Sequence, residues 1–256
     1  MPTVLHVAPH PDDESIGAPC TLLQLADAGH EIVVVACGLG RPADHARRRA
    51  ELAAATAEAG FRLLVREPPE PVGSRDDLGA ARRALSPWIT DLIDGYGAIA
   101  VVGPQLHDVH PAHEAVARAT RDAITAAARP PVWWTWGIWA DLPVPTVLVE
   151  CPDALVTRAE AMLAHHRGEL ARNRYLDQVR AARTLAATRG YERVAGFGAT
   201  LPPGLRQAEL LTELGWDGAS WRFGPRRVTG RLVPPQRWGE RADALVLAPG
   251  FTRPPR

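Results

Sequence analysis

Apolar positions follow two rhythms along the first half of this chain. Short β-branched runs recur between longer stretches of helical spacing. Val4 to Ala8 is apolar and stops at Pro9, which predicts a buried first strand. Residues 14–28 carry Ile16, Leu22, Leu23, Leu25 and Ala26 at helical spacing, with Gly29 as the C-cap. Glu31 to Ala36 reads as a second strand, Ala43 to Ala59 as a helix ended by Gly60, and Phe61 to Val65 as a third strand. A proline-rich loop from Glu67 to Gly73 leads to helical sequence over Asp77 to Asp94, expected to be interrupted at Pro87. Ala98 to Val102 reads as a fourth strand and His113 to Ala128 as a helix. This alternation predicts a parallel sheet with helices on both faces.

The second half is less regular. Val132 to Ala140 and Thr146 to Glu150 read as strands, and Ala154 to Leu170 and Arg174 to Thr188 as helices. From Gly190 onward glycine and proline are frequent, and Trp221, Val228 and Val246 fall in short β-like pieces. No repeat or linker divides the chain. The expectation is therefore one domain over residues 1–256, of α/β class: a Rossmann-like, doubly wound, mostly parallel sheet to about residue 190, with a β-rich portion over 191–256.

Composition narrows the chemistry. A 46% hydrophobic and 23% charged chain of 256 residues folds as an ordinary globular domain. Its formal net charge is zero, so no overall field favours nucleic acid or an anionic membrane, and a small neutral or polar substrate is expected. All 29 basic residues are arginine. Without lysine there is no Schiff-base chemistry, no pyridoxal phosphate attachment and no phosphate-loop lysine. Cys20, Cys37 and Cys151 lie far apart and form no CxxC pair, which fits a reducing cytoplasm better than a disulfide framework or a cysteine zinc knuckle. The N-terminus lacks a basic region followed by an apolar core, and no run approaches membrane-spanning length.

Two motifs carry chemistry. His10-Pro11-Asp12-Asp13-Glu14 leaves the first strand and opens a helix. A proline and acidic residues are ordinary at a helix start, yet that does not account for His10. Adjacent residues leaving a strand point in different directions, so one aspartate can bind a metal beside His10 while the other stays free to take a proton. His107-Asp108-Val109-His110-Pro111-Ala112-His113 follows the fourth strand and places three of the chain's nine histidines within seven residues. If the first and fourth strands are neighbours on either side of the point where the chain reverses direction, both motifs open onto one crevice.

These motifs, with Gly17 and the Gly29-His30 strand start, resemble the LmbE-like, or PIG-L, family of zinc deacetylases. The resemblance covers about the first 130 residues; Trp136-Gly137 through Glu150 and Ala164 to Gly168 resemble the family more loosely. It implies His10, Asp13 and His113 as zinc ligands, Asp12 as the general base, and His110 as the group that stabilises the oxyanion and protonates the leaving amine. Arg48 is the best match for an arginine the family often carries on the helix after its second strand. Two imidazoles and one carboxylate leave coordination positions open, as catalytic zinc requires; iron(II) suits the same donors. The family has aspartate where this chain has Ala112, and Asp108 stands close enough to serve in its place, in particular by orienting His110.

Other signals are weaker. Cys37-Gly38-Leu39-Gly40-Arg41-Pro42-Ala43 matches GxGxxA, the only support for a nucleotide-dependent oxidoreductase, but follows the wrong strand and reads instead as a loop edging the pocket. In the aromatic stretch, alternation places Trp134 and Trp136 on one face and Trp133 and Trp139 on the other, as packed strand residues or as an indole for stacking on a sugar. His165 and His166 fall on an arginine-rich helical segment and read as solvated. The expected activity is removal of an N-acetyl or other N-acyl group from an amino-sugar conjugate, a small-molecule substrate implied by the resemblance. The alternatives are cleavage of a larger thiol- or natural-product conjugate amide, or a catalytically weakened metal- or sugar-binding protein. Both a monomer and a homo-oligomer remain open.

Overall fold

Val4, Leu5 and Val7 are all buried because the first strand, β1 (Thr3–Ala8), lies inside a sheet. It pairs in parallel with β2 (Glu31–Ala36) on one side and β4 (Ala100–Pro104) on the other. β3 (Arg62–Val65) extends the sheet beyond β2, and β5 (Val132–Trp136) extends it beyond β4. The resulting order 3-2-1-4-5 is doubly wound, with the reversal between β1 and β4. The structure is a computed structural model and describes residues 1–73, 76–229, 231–233 and 240–248.

Alternation along the strands divides the core. Leu5, Val7, Val33 and Val35 face α4 (Leu78–Tyr96) and α5 (Pro111–Ala126), which contribute Leu85, Ile89, Ile93, Val116 and Ile124. Val4, Ile32, Val34 and Val102 face α2 (Pro19–Asp27), α3 (His45–Ala59) and α6 (Asp153–Ala164), which contribute Leu22, Leu23, Leu52 and Met162. Among the described residues, no helix is long and apolar enough to cross a membrane.

The second half completes the sheet with mostly antiparallel pairings. β7 (Ala208–Trp216) pairs through its first half with β6 (Val147–Glu150) and through its second half with β5 and with β8 (Trp221–Phe223). β9 (Arg227–Val228) and β10 (Arg231–Leu232) continue beyond β6. β7 is nine residues long and central to this half, yet its sequence, Ala-Glu-Leu-Leu-Thr-Glu-Leu-Gly-Trp, has no clean alternation. Both its faces are covered, and Glu209 and Glu213 are buried against specific donors. Val246 belongs to a short helix, α10 (Asp243–Val246), not to a strand. Within the C-terminal portion read from sequence, residues 230, 234–239 and 249–256 lie outside the described residues.

Several helices differ from their sequence pattern for identifiable reasons. The expected helix over 14–28 is two: α1 (Asp13–Ile16), then α2 starting at Pro19. Proline has no N–H to continue a helix, and a Cβ on Gly17 would lie 2.6 Å from the fully buried Trp136 ring, so glycine is needed where the chain crosses it. α4 instead runs through Pro87 without interruption, held by the buried face of Ala81, Leu85, Ile89 and Ile93. The helix expected over 154–170 breaks after α6, and α7 (Arg167–Leu170) follows His166. α8 (Tyr175–Leu185) passes through a π-helical turn at Ala186–Gly190 into α9 (Tyr191–Ala195).

Candidate active site

β1 and β4 are hydrogen-bonded neighbours running the same way, so the segments leaving their carboxyl ends open on one side of the sheet. Residues 9–14 and 105–113 meet there. Ligand atoms of His10, Asp13 and His113 lie within 4.8 Å of one another. The Asp13 carboxylate sits between the imidazoles: Oδ2 is 3.4 Å from His10 Nδ1, and Oδ1 is 3.5 Å from His113 Nε2. It also accepts the His10 backbone N–H at 2.7 Å, which fixes its rotation.

The charges of these three residues depend on one another. Burial keeps the His10 pKa below the usual 6.5, so the ring is neutral at pH 7. Burial pushes Asp13 upward, but His113 and His10 outweigh it and hold the carboxyl below its ordinary range. Burial lowers His113, while the Asp13 and Asp108 carboxylates outweigh it and leave the ring above its ordinary value. Asp108 accepts from His113 Nδ1 at 2.7 Å, which puts a proton on Nδ1 and leaves Nε2, the nitrogen facing Asp13, as the one a metal would take. The residues present therefore fit a divalent metal: two imidazole nitrogens and an anionic carboxylate, with one ring's tautomer held by a second carboxylate.

Asp108 is fully buried and has a second task. Its Oδ1 accepts the backbone N–H groups of Ile138, Trp139 and Ala140 at 2.9, 3.0 and 3.1 Å. This ends β5 at Trp136, four residues before the expected end of the strand, and turns residues 137–140 over the crevice. Asp108 was expected to orient His110; its short bond goes to His113. Ala112, at the position where the family resemblance implies aspartate, packs inside the apolar core beside Val116.

Asp12 is buried next to the three clustered residues and caps α1 at φ 153°, a conformation that L-residues rarely adopt. Burial and the adjacent Asp13 carboxylate raise its pKa well above the ordinary range, against the Arg48 guanidinium 3.8 Å away. Arg48 is itself buried: Nη2 donates to the Pro11 carbonyl, and Nε lies 3.7 Å from Glu169. The glycine loop after β2 serves this arginine, since a Cβ on Gly40 would strike its guanidinium. His110, at the N-cap of α5, stands with its ring centroid 4.9 Å from His10 and 4.6 Å from His113.

The structure thus brings His10, Asp12, Asp13, Arg48, His110 and His113 around one cavity of about 160 Å³, with Asp108 behind it. Sequence reasoning missed Glu169, Tyr175, Ile16 and Ile138, which complete the lining. Burial, with Asp12 and Glu169 nearby, pushes the Tyr175 hydroxyl up to about 12, so it remains a donor at neutral pH. Ile16 lies on α1 with Asp13, whereas nothing in the spacing marks Ile138, Glu169 and Tyr175, because they arrive on other segments. Trp139 is the exposed indole, at 46%, and stacks 6.3 Å from His110, whereas Trp133 and Trp136 are buried in opposite faces of the core.

His166 is not solvated. It is completely buried and donates through Nε2 to Glu14 at 2.6 Å. Burial disfavours the carboxylate, but His166 and the Ser15 hydroxyl hold Glu14 below its ordinary pKa. The pair ties α1, and with it Asp12 and Asp13, to the turn before α7. His165, beside Glu58, is half-buried. Cys20 and Cys151, far apart in sequence, meet beside Glu209, all three buried.

Comparison with known proteins bears on the family and the fold. Residues 5–124 match the family model described as PIG-L: GlcNAc-PI de-N-acetylase. No curated protein sequence matches the chain. Among solved structures, the conserved protein TT1542 from Thermus thermophilus is 19% identical, with 82% of this chain and 94% of that chain covered and a TM-score of 0.63. The 4-carboxy-2-hydroxymuconate hydratase GalB from Pseudomonas putida is 15% identical, covering 83% and 96%, at 0.63. The zinc-inhibited form of teicoplanin deacetylase Orf2 is 16% identical, covering 85% and 100%, at 0.61. At these identities the structures establish a shared fold, and one fold here accompanies both a hydratase and a deacetylase. The sequence match is what assigns the first half: residues 5–124 of this chain form a PIG-L (LmbE-like) family domain.

Proposed function

We infer that this protein is a zinc-dependent N-deacetylase that hydrolyses the N-acyl amide of an amino-sugar conjugate. The observation that carries the reading is the cluster of His10, Asp13 and His113 with a further buried carboxylate, Asp12, directly beside it. A metal held by those three residues supplies Lewis acidity, polarising an amide carbonyl and making water a nucleophile near neutral pH. Iron(II) suits the same donors.

The chain's own groups divide the remaining work. Asp12, with its raised proton affinity, accepts the proton of the attacking water. His110 faces the same point from the start of α5, donates a hydrogen bond to the developing oxyanion and passes a proton to the departing amine. Asp108 keeps His113 in one tautomer. Arg48, Glu169 and the Tyr175 hydroxyl offer donors and acceptors to the sugar. A cytoplasmic location and a small-molecule substrate belong to the same proposal, the first on cysteine usage.

The test is elemental analysis of zinc-reconstituted protein, joined to a fluorescamine screen for free amine over N-acetyl amino-sugar conjugates. About one metal per chain and amine release are expected. Asp12→Asn should keep the metal and lose about 10²–10⁴ in rate. Near-normal turnover in that variant removes Asp12 as the base; metal-loaded protein that releases no amine from any conjugate removes the deacetylase reading.

A further inference from the structure

A second cavity, of about 280 Å³, adjoins the first and shares Ile16, Ile138 and Trp139 with it. It runs between the 137–142 loop, α8 and the start of β7, and its remaining apolar wall includes Leu142, Val179 and Leu210. Its charged groups are paired, some with one another. Arg189 pairs with Asp141 at 2.6 Å, Arg183 with Glu160 at 2.9 Å, and Arg193 donates to the Leu142 carbonyl. Glu209 accepts from Cys20 N, Thr21 N and the Thr21 hydroxyl. The cavity therefore sets an apolar wall beside paired charges, of which Arg189 and Asp141 stay exposed.

Both cavities share the apolar Ile16, Ile138 and Trp139. Tyr175 stands beside Trp139, with ring centroids 6.4 Å apart, and the buried Arg48 and Glu169 lie 3.7 Å apart in the lining of the first cavity. An amide held at His10, Asp13 and His113 can direct its acyl group past Ile16, Ile138 and Trp139 into the second cavity. We propose that the second cavity is an acyl subsite, and that the preferred substrates carry a medium-length aliphatic N-acyl chain in place of acetyl. The inference rests on the hydrolase reading for the orientation of the amide. An apolar cavity of about 150 Å³ admits benzene, so one of 280 Å³ accommodates a chain longer than six carbons. Each methylene buried there raises affinity or kcat/KM about fourfold until the cavity is filled.

The experiment compares N-acetyl-, N-butanoyl-, N-hexanoyl- and N-octanoylglucosamine in two ways on the full chain: binding by titration calorimetry, and amine release by fluorescamine. Octyl N-acetylglucosaminide carries the same chain on the other side of the amide. Expected is a stepwise gain with acyl length in both measurements, with no comparable gain for the octyl glycoside. Ala182→Phe, at an exposed position of α8 that lines the cavity, should collapse the octanoyl-to-acetyl ratio at least tenfold. Ala181→Phe, on the same helix away from the cavity, should leave it unchanged. Amine release without any dependence on acyl length, a ratio unmoved by Ala182→Phe, or a gain confined to the octyl glycoside overturns the acyl subsite while the hydrolase reading stands. A length-dependent gain in binding that Ala182→Phe abolishes, with no amine released, keeps the subsite and removes the hydrolase reading.

Discussion

Replacing Asp108 separates two tasks that one carboxylate performs. Asp108→Asn keeps an oxygen for the N–H groups of Ile138, Trp139 and Ala140, so the 137–140 loop should hold. On the other side an amide N–H₂ now meets His113 Nδ1, which must become an acceptor, and the ring proton moves to Nε2, the atom facing Asp13. Loss of a hydrogen bond to a charged group costs about 1.5–3 kcal/mol of stability. Loss of the partner that orients a ligating histidine weakens metal binding about 10–100-fold. Zinc at about one hundred times the wild-type Kd adds about 2.7 kcal/mol to the wild-type protein, but only about 0.4 kcal/mol to a variant weakened about 100-fold. Asp108→Ala removes the loop acceptor as well. Those three N–H groups are only partly buried, at about 1 kcal/mol each, so the total loss is about 5 kcal/mol, a large share of a domain's stability. Urea unfolding of the three proteins with chelator and with zinc measures both quantities. If Asp108→Asn gains as much from zinc as wild type, Asp108 does not govern the His113 tautomer. If Asp108→Ala unfolds at the wild-type midpoint, the loop does not depend on it.

Three further outcomes follow from the packing. His166→Ala leaves the Glu14 carboxylate fully buried with only Ser15, so unfolding free energy should fall by about 3–5 kcal/mol; a loss under about 1 kcal/mol in urea would show that α1 does not need the pair. Gly17→Ala drives a methyl into the rigid Trp136 ring and should cost about 1–3 kcal/mol despite alanine's better helix propensity, with an unchanged or raised Tm contradicting the contact. Burial outweighs Arg227 and Trp134 and raises the Glu213 pKa, so the folded state holds its proton above the ordinary 4.5. Its contribution is complete below pH 4.5 and is lost as pH rises through the folded value. Wild type should therefore lose stability relative to Glu213→Gln over that interval, and parallel urea midpoints from about pH 4 to 7 would refute the sign.

What the sequence determined by itself is local. β1, β2 and α3 stand close to where their patterns place them, because runs such as Ile32 to Val35 and caps such as Gly60 act over a few neighbouring residues. The doubly wound order followed from the alternation of strands and helices, and the order brings residues 10–14 beside 107–113. Tertiary structure decided what distant partners decide. β5 ends at Trp136 because a carboxylate on another segment captures the N–H groups of Ile138, Trp139 and Ala140. His166 is buried because Glu14, 152 residues away, needs a donor where no water reaches. β7 gave no strand signal because its buried glutamates answer to Thr21, Trp134 and Arg227 instead of to their own neighbours in sequence. Glu169 and Tyr175 reach the site on segments whose local pattern describes only a helix, so the substrate-facing side of the crevice exists only once the chain has folded.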